Sequence, residues 1–378
     1  MLKVLQVSKF FPPVMGGIEA VAWELAEGLS HAGVASTVLC SNQSWSTRHE
    51  CKESGYQVVR TGRLGALLST SIAPAMPWHL RRLAVDADIV HIHMPDPMAA
   101  AAFCLSGSRA GLVVHWHSDV IRQRHALRFY EPLQRWLLSR ADAIIATSPP
   151  YAESSRPLQP WLRKVRVVPI GISDHHAASS DHRVAGIRHR FGGRKLVFAL
   201  GRMAYYKGFE VLIEAAAQLP SDSVVVIGGD GELLNDYRAL VNRLGLAGRV
   251  YLPGHIDDDE LPSWFAACDV FCMPSTVRAE AYGVAMLEAM ATGRPVVASD
   301  IPGSGVPWVN QHDVTGFNVP VGRPELLGRR LAELLEDGML RLTMGEAARS
   351  RYILAFHADL MIQRTLDLYK EVVHRRSA

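Results

Sequence analysis

Three observations predict an α/β protein built from two parallel-sheet units. Short apolar runs alternate with helical patterns from residue 2 to residue 147, a second alternation of the same kind starts at Lys195, and a polar, histidine-rich stretch separates the two. In the first series strands are expected at 2–8, 35–40, 88–93, 112–117 and 143–147, with a helix at 18–31. In the second they are expected at 195–201, 223–228, 250–253, 270–274 and 295–299, with helices at 209–219, at 232–244 and around Glu288. Runs this short and apolar suit strands buried on both faces, and strands alternating with helices imply a parallel sheet covered on both sides. The expected boundaries are a first domain over 1–172, a linker over 173–194, a second domain over 195–355 and a closing segment, 356–378, that packs back onto the first domain.

Composition narrows the class. A chain of 378 residues suits two domains of ordinary size. Forty basic against thirty-seven acidic residues leave a net charge of +3, which gives no reason to expect a nucleic-acid partner. Five cysteines are scattered, mostly in apolar runs, so neither a disulfide framework nor a zinc site is expected. No apolar run approaches the roughly 20 residues of a membrane span, and the first ten residues read as a strand rather than a leader, so a cytoplasmic protein is expected.

Three clusters fall where a strand ends and the next element begins, the edge at which open α/β sheets bind ligands. Gly16 and Gly17 follow the first strand and open a helix, a place where backbone N–H groups form an anion site; a plain tight turn explains the pair equally well. Arg202 and Lys207 flank the loop after the strand at 195–201 and suit a diphosphate, the first by its planar fork and the second as a point charge, unless both are simply solvated. Glu280 and Glu288 stand eight residues apart in EAYGVAMLEAMATGRPVVASDIP, Glu280 in a loop and Glu288 inside a helix apolar almost all round. A carboxylate in such a helix needs either an internal cation or a polar ligand such as a sugar diol. The N–H groups of Ala281, Tyr282 and Gly283 at the helix start add donors for a hydroxyl or phosphate oxygen.

With the GDGE turn at 229–232 and TGF at 315–317, these motifs resemble the retaining glycosyltransferases of the large GT4 family, over nearly the whole chain. The resemblance implies the GT-B fold, two Rossmann-like domains facing across a cleft. It implies that Arg202 and Lys207 bind a donor diphosphate, Glu288 the ribose and Glu280 the transferred sugar, and that His117 of HWHSD faces the sugar near the phosphates. His117, Glu280, Arg202 and Lys207 are then the catalytic candidates; Gly16, Gly17, Ile256, Ala281, Tyr282, Gly283 and Glu288 complete the donor site, Ile256 through main chain near the base. Asp119 and Trp78 are acceptor-side candidates. The segments KFFPPVMGGIE, HWHSDVIRQ and ATSPPYAESS are similar to those of bacterial enzymes that add mannose or a related deoxyhexose to a lipid-linked O-antigen or exopolysaccharide. That implies a GDP-activated donor, with a UDP-sugar as the variant, and a lipid-linked saccharide acceptor. Front-face substitution, with the leaving diphosphate taking the acceptor's proton, is the mechanism the likeness implies.

Two further features are open on the residues alone. His91 and His93 alternate on one strand and His115 and His117 on another, so the four suit a metal site or a pocket and core; no D-x-D pair accompanies them, and Asp257 to Asp259 are expected to cap a helix, so no metal is expected. The segment 60–83 mixes Arg with Leu, Ile, Met and Trp78, which suits an anionic membrane surface at the inner face of the cytoplasmic membrane or, equally, a loop packed on its own domain. The competing functions are a nucleotide-sugar epimerase or hydrolase of the same architecture and a sugar-nucleotide-binding subunit without turnover.

Overall fold

The structure, a computed structural model, describes residues 1–14, 16–67, 70–121 and 124–377, with the side chains of 124–127 left aside. It divides into two compact units, Met1–Gly171 with Ala358–Ala378, and Ile172–His357. The strands of the first unit are β1 (Lys3–Val7), β2 (Ala35–Ser41), β3 (Arg48–Cys51), β4 (Gln57–Thr61), β5 (Gly65–Leu67), β6 (Thr70–Ile72), β7 (Ile89–Met94), β8 (Gly111–Trp116), β9 (Ala143–Ala146) and β10 (Val165–Val167). Its sheet runs β10-β9-β8-β7-β1-β2-β4-β3, with β5 and β6 forming a separate ribbon. Every residue of β7 and β8 is buried, as strands covered on both faces must be, and only β3 pairs antiparallel, at the edge.

The second unit holds β11 (Lys195–Leu200), β12 (Ser223–Gly228), β13 (Val250–Gly254), β14 (Val270–Met273), β15 (Val296–Asp300) and β16 (Gly316–Pro320). They pair in the order β13-β12-β11-β14-β15-β16, all parallel. Counted within the unit this is 3-2-1-4-5-6, the order of dinucleotide-binding sheets, and it places a topological switch point between β11 and β14. The first unit has the corresponding reversal between β1 and β7. Both sheets are thus Rossmann-like, and at each reversal the flanking loops part to leave a crevice at the strands' C-terminal ends.

Three sequence expectations change. Residues 173–194 do not form a bare linker: they carry a 3-10 turn, Asp174–Ala177, and a helix, Asp181–Arg190, and they group with the second unit. The polar composition misled because that helix, with no fully buried side chain, has no apolar stripe to reveal it. Asp257 to Asp259 do not cap a helix, since the helix starts at Leu261 after Glu260 and has no side-chain cap. The helix Val284–Ala291 is buried on most sides, but Val284, Ala285 and Glu288 form a partly open stripe. The last helix, Ala358–Ser377, closes the first unit, burying Met361, Thr365, Leu368, Tyr369 and Val372.

Candidate active site

The second unit brings its predicted residues together at the switch point. Lys207 ends the 3-10 turn Tyr205–Lys207 that follows β11, and Glu280 lies in the loop after β14. Their side chains meet, with Lys207 Nζ donating to Glu280 Oε2 at 2.7 Å, and Ser275 Oγ donating to the same oxygen at 3.1 Å. The two loops are held in contact by the Thr276 amide, which donates to the Tyr206 carbonyl at 2.8 Å. Gly208 permits this approach: its φ is +63°, and a Cβ there would stand 2.2 Å from the Pro274 carbonyl oxygen. The pair is largely buried, with side chains 14% and 11% exposed. Burial by itself would lower the Lys207 pKa, but the Glu280 charge and hydrogen bond outweigh it and hold the ammonium above its ordinary value. Arg202 is exposed, and its charge acts on Lys207 in the opposite sense.

Glu288 lies one turn into the neighbouring helix and does find a side-chain partner, a histidine and not an arginine. His176 Nδ1 of the Asp174–Ala177 turn lies 3.3 Å from its Oε1, and the carboxylate keeps 14% of its side-chain surface open. Gly283 caps that helix at φ +85°, where a Cβ would press to 2.6 Å on Met273 Sδ. Ala281 and Tyr282 are buried beside it, the former fixed by the Gly305 amide donating to its carbonyl at 2.8 Å. Ile256 is buried over the end of β12, against Gly228. The Lys207–Glu280 pair thus stands at the switch point and Glu288 one turn into the helix that begins after Gly283, a set of cationic and acidic groups that suits a ligand carrying both phosphate and hydroxyl groups.

In the first unit Gly16 is the extended N-cap residue and Gly17 the first residue of the helix Gly17–His31. Glu19, in the first turn, shares this N-terminus: a Cβ on Gly16 would lie 2.6 Å from its Oε2. Burial raises the Glu19 pKa against the pull of its backbone hydrogen bond and of Lys9, so an anion arriving here would meet a carboxyl prone to take a proton. His117 directly follows β8 and is buried, with its Nε2 3.0 Å from His93 Nδ1. Asp119 is a strut: its Oδ1 accepts from Trp116 Nε1 at 2.9 Å and from Ser155 Oγ at 2.7 Å. That pairing accounts for the carboxylate without a ligand.

The four histidines do gather. His91, His93 and His115 place one ring nitrogen each within 4.8 Å of the others. Their rings are nearly parallel, however, with His91 and His93 at 12° and His93 and His115 at 27°. Lone pairs lie in the ring planes, so a stack of this kind does not aim them at one ion.

The segment 60–83 is mixed in its placement. Arg60 is buried and bonds Glu50 at 2.6 Å, whereas Trp78 is 57% exposed with the Arg82 guanidinium 5.5 Å from its ring; residues 68 and 69 lie outside the described residues. No helix among the described residues is long and apolar enough to cross a membrane. Met15, within KFFPPVMGGIE, and residues 122 and 123, within HWHSDVIRQ, likewise lie outside the described residues.

Four residues with a clear place in these sites escaped the sequence reading: Glu19, His176, Ser275 and Gln6. Ser275 had a signal, its position two residues after the end of β14, and Glu19 another, its place in the first turn after Gly17; His176 and Gln6, the latter 3.1 Å from His93 Nε2, reach their partners from elements distant in sequence.

The chain matches two family models, "Glycosyltransferase Family 4" over residues 15–176 and "Glycosyl transferases group 1" over residues 186–351. It is 31% identical to the O-antigen chain mannosyltransferase C of Escherichia coli, with all of both chains covered. It is 32% identical to the D-rhamnosyltransferase WbpZ of Pseudomonas aeruginosa, covering 94% of this chain and 93% of that one. A GDP-mannose-dependent phosphatidylinositol monomannoside mannosyltransferase of Mycobacterium tuberculosis is 28% identical over 98% of each. Among solved structures, Anabaena HepE with UDP and glucose superposes with a TM-score of 0.79 at 22% identity, covering 98% of this chain and all of that one.

Proposed function

Because this chain belongs to the family 4 and group 1 glycosyltransferases, we propose that it moves a hexose, mannose or a related deoxyhexose, from a nucleoside-diphosphate sugar to a lipid-linked glycan in cell-surface polysaccharide synthesis, with retention of configuration. The observation that carries the reading is the Lys207–Glu280–Ser275 cluster at the reversal between β11 and β14. The GDP-mannose and O-antigen relatives supply the choice of sugar and acceptor.

In this reading the bond from the anomeric carbon to the diphosphate oxygen breaks while the acceptor hydroxyl attacks from the same face. The leaving diphosphate takes the hydroxyl proton. Negative charge grows on the diphosphate as the bond breaks, so Lys207 and Arg202 act on the transition state more than on the ground state. Glu280 accepts hydroxyls of the transferred sugar and Glu288 exchanges its contact with His176 for the ribose diol, while the family likeness gives the Gly17 helix terminus to the phosphates. The same likeness gives His117 to the sugar. No residue here is a nucleophile.

The test is incubation with GDP-mannose, a GDP-deoxyhexose or UDP-glucose, each with and without a lipid-linked saccharide in anionic vesicles. Release of nucleoside diphosphate that requires the acceptor, with the protein floating with those vesicles, is expected; sugar-nucleotide change without acceptor makes the protein an epimerase or hydrolase instead. Flotation speaks to the exposed Trp78 and Arg82, and its failure would remove the membrane contact while leaving the transfer standing.

A thermal-shift panel of GDP, UDP and ADP should single out GDP, since a ligand at about 100 times its Kd stabilises a protein by roughly 2.7 kcal/mol. Glu288→Ala should erase most of that shift, because the diol loses its acceptor. An unchanged shift in this variant would take Glu288 out of the nucleotide site.

A further inference from the structure

A line of polar side chains runs through the first unit beneath the position of His117. Gln6 of β1 lies opposite His91 of β7 in the strand register, and His93 lies opposite His115 of β8, so these side chains and His117 share one face of the sheet. His91 Nδ1 is hydrogen-bonded to the Tyr369 hydroxyl of the last helix, which shields this face from water. Two bonds form a chain: His93 Nε2 lies 3.1 Å from Gln6 Oε1, and His93 Nδ1 lies 3.0 Å from His117 Nε2. Burial pushes the His93 pKa down to about 3 and takes His117 well below its ordinary value, so each ring is neutral and carries one proton.

In this structure the Gln6 amide turns its oxygen to His93 and leaves its own Nε2 buried without a partner; with that orientation the chemistry of each atom leaves one arrangement. An amide oxygen only accepts, so the proton of His93 is on Nε2 and its Nδ1 offers a lone pair. His117 must donate to that lone pair, which places its single proton on Nε2. We propose that Gln6 and His93 are positioning residues that lock His117 as the Nε2–H tautomer, leaving Nδ1 an obligate acceptor, so that His117 recognises a sugar hydroxyl and not a phosphate oxygen. The inference rests on the donor-sugar reading of His117 for its ligand, but the tautomer itself does not depend on it. A hydroxyl donates its hydrogen to Nδ1, whereas a phosphate oxygen would meet it lone pair to lone pair.

The experiment is two-bond proton–nitrogen correlation NMR on the full chain labelled with nitrogen-15 histidine. In the wild-type protein the His117 ring is expected to show a protonated Nε2 and an unprotonated Nδ1; a protonated Nδ1, or fast exchange between the two forms, overturns the proposal without any variant. Gln6→Met and His93→Leu should each give mixed tautomers at His117 and lower kcat roughly tenfold, the weight of about one hydrogen bond, with the thermal shift by nucleotide kept. His93→Asn sets its Oδ1 where Nδ1 stood, and should hold the Nε2–H form and turn over faster than His93→Leu. An unchanged His117 spectrum in Gln6→Met removes Gln6 and His93 from this role. A locked tautomer in a protein that transfers no sugar would sink the transferase reading and leave the lock intact.

Discussion

Replacing Glu280 by Ala is expected to lower the transfer rate by about a thousandfold, the scale on which a charged contact made in the transition state acts, while leaving nucleoside-diphosphate affinity within a few-fold of wild type. The expectation follows from where Glu280 stands. Its carboxylate is held by Lys207 and Ser275 after β14, and the proposed reading gives it the transferred sugar, whereas it gives the nucleotide to Glu288 and the helix beyond Gly283. Removing it also withdraws the charge that keeps the Lys207 pKa raised, so that the ammonium feels burial more fully. Glu280→Gln separates the two effects. It keeps an oxygen for Lys207 and Ser275 and loses only the charge, so its turnover should fall between Ala and wild type. Single-turnover rates with calorimetric nucleotide titrations give both quantities, and normal turnover in Glu280→Ala would end this assignment.

Lys207→Met is expected to lose about 10²–10³ in kcat and, at the same time, about 3 kcal/mol of stability. Those losses have different origins. The rate falls because no cation meets the charge developing on the diphosphate, and the stability falls because Glu280 is left largely buried with its main partner gone. The double variant Lys207→Met/Glu280→Gln tells them apart: it should recover most of the stability by removing the orphaned charge, and none of the rate. Urea unfolding of the four proteins yields the coupling energy. Since Lys207 titrates above its ordinary value, the pair's contribution is complete below the unfolded pKa of about 10.4 and is lost only as pH rises through the folded value, so the coupling should be flat between about pH 7 and 9. A double variant no more stable than Lys207→Met would show that the pair is not what holds the two loops together.

How much of this was legible in the sequence depended on distance along the chain. The strands that build both switch points are short apolar runs, and they stand within a residue or two of where periodicity put them. Lys207, Glu280 and Gly283 were visible because each follows such a strand by a few residues. What periodicity could not show was that Lys207 and Glu280 touch, because their contact depends on β11 and β14 being neighbours although two strands separate them in sequence. His176 was hidden for a related reason. It sits in a polar stretch that looked like a linker, and only the folding of 174–177 onto the second unit carries it to Glu288. The segments β3, β5, β6 and β10, of three or four residues with few buried side chains, lack a repeat long enough to register.

During synthesis the sheet face carrying His91 stays uncovered until the last helix leaves the ribosome. Residues 172–357 must be made in between, which at about 5–20 residues per second takes on the order of 10–40 s. The second unit, continuous in sequence, is able to finish folding inside that interval; the first, begun earlier, finishes last. The histidine line is therefore exposed to water, and its rings free to exchange protons, for the whole of that wait. A chain cut short before Tyr369 would stay that way, because the hydroxyl that closes over His91 would never arrive.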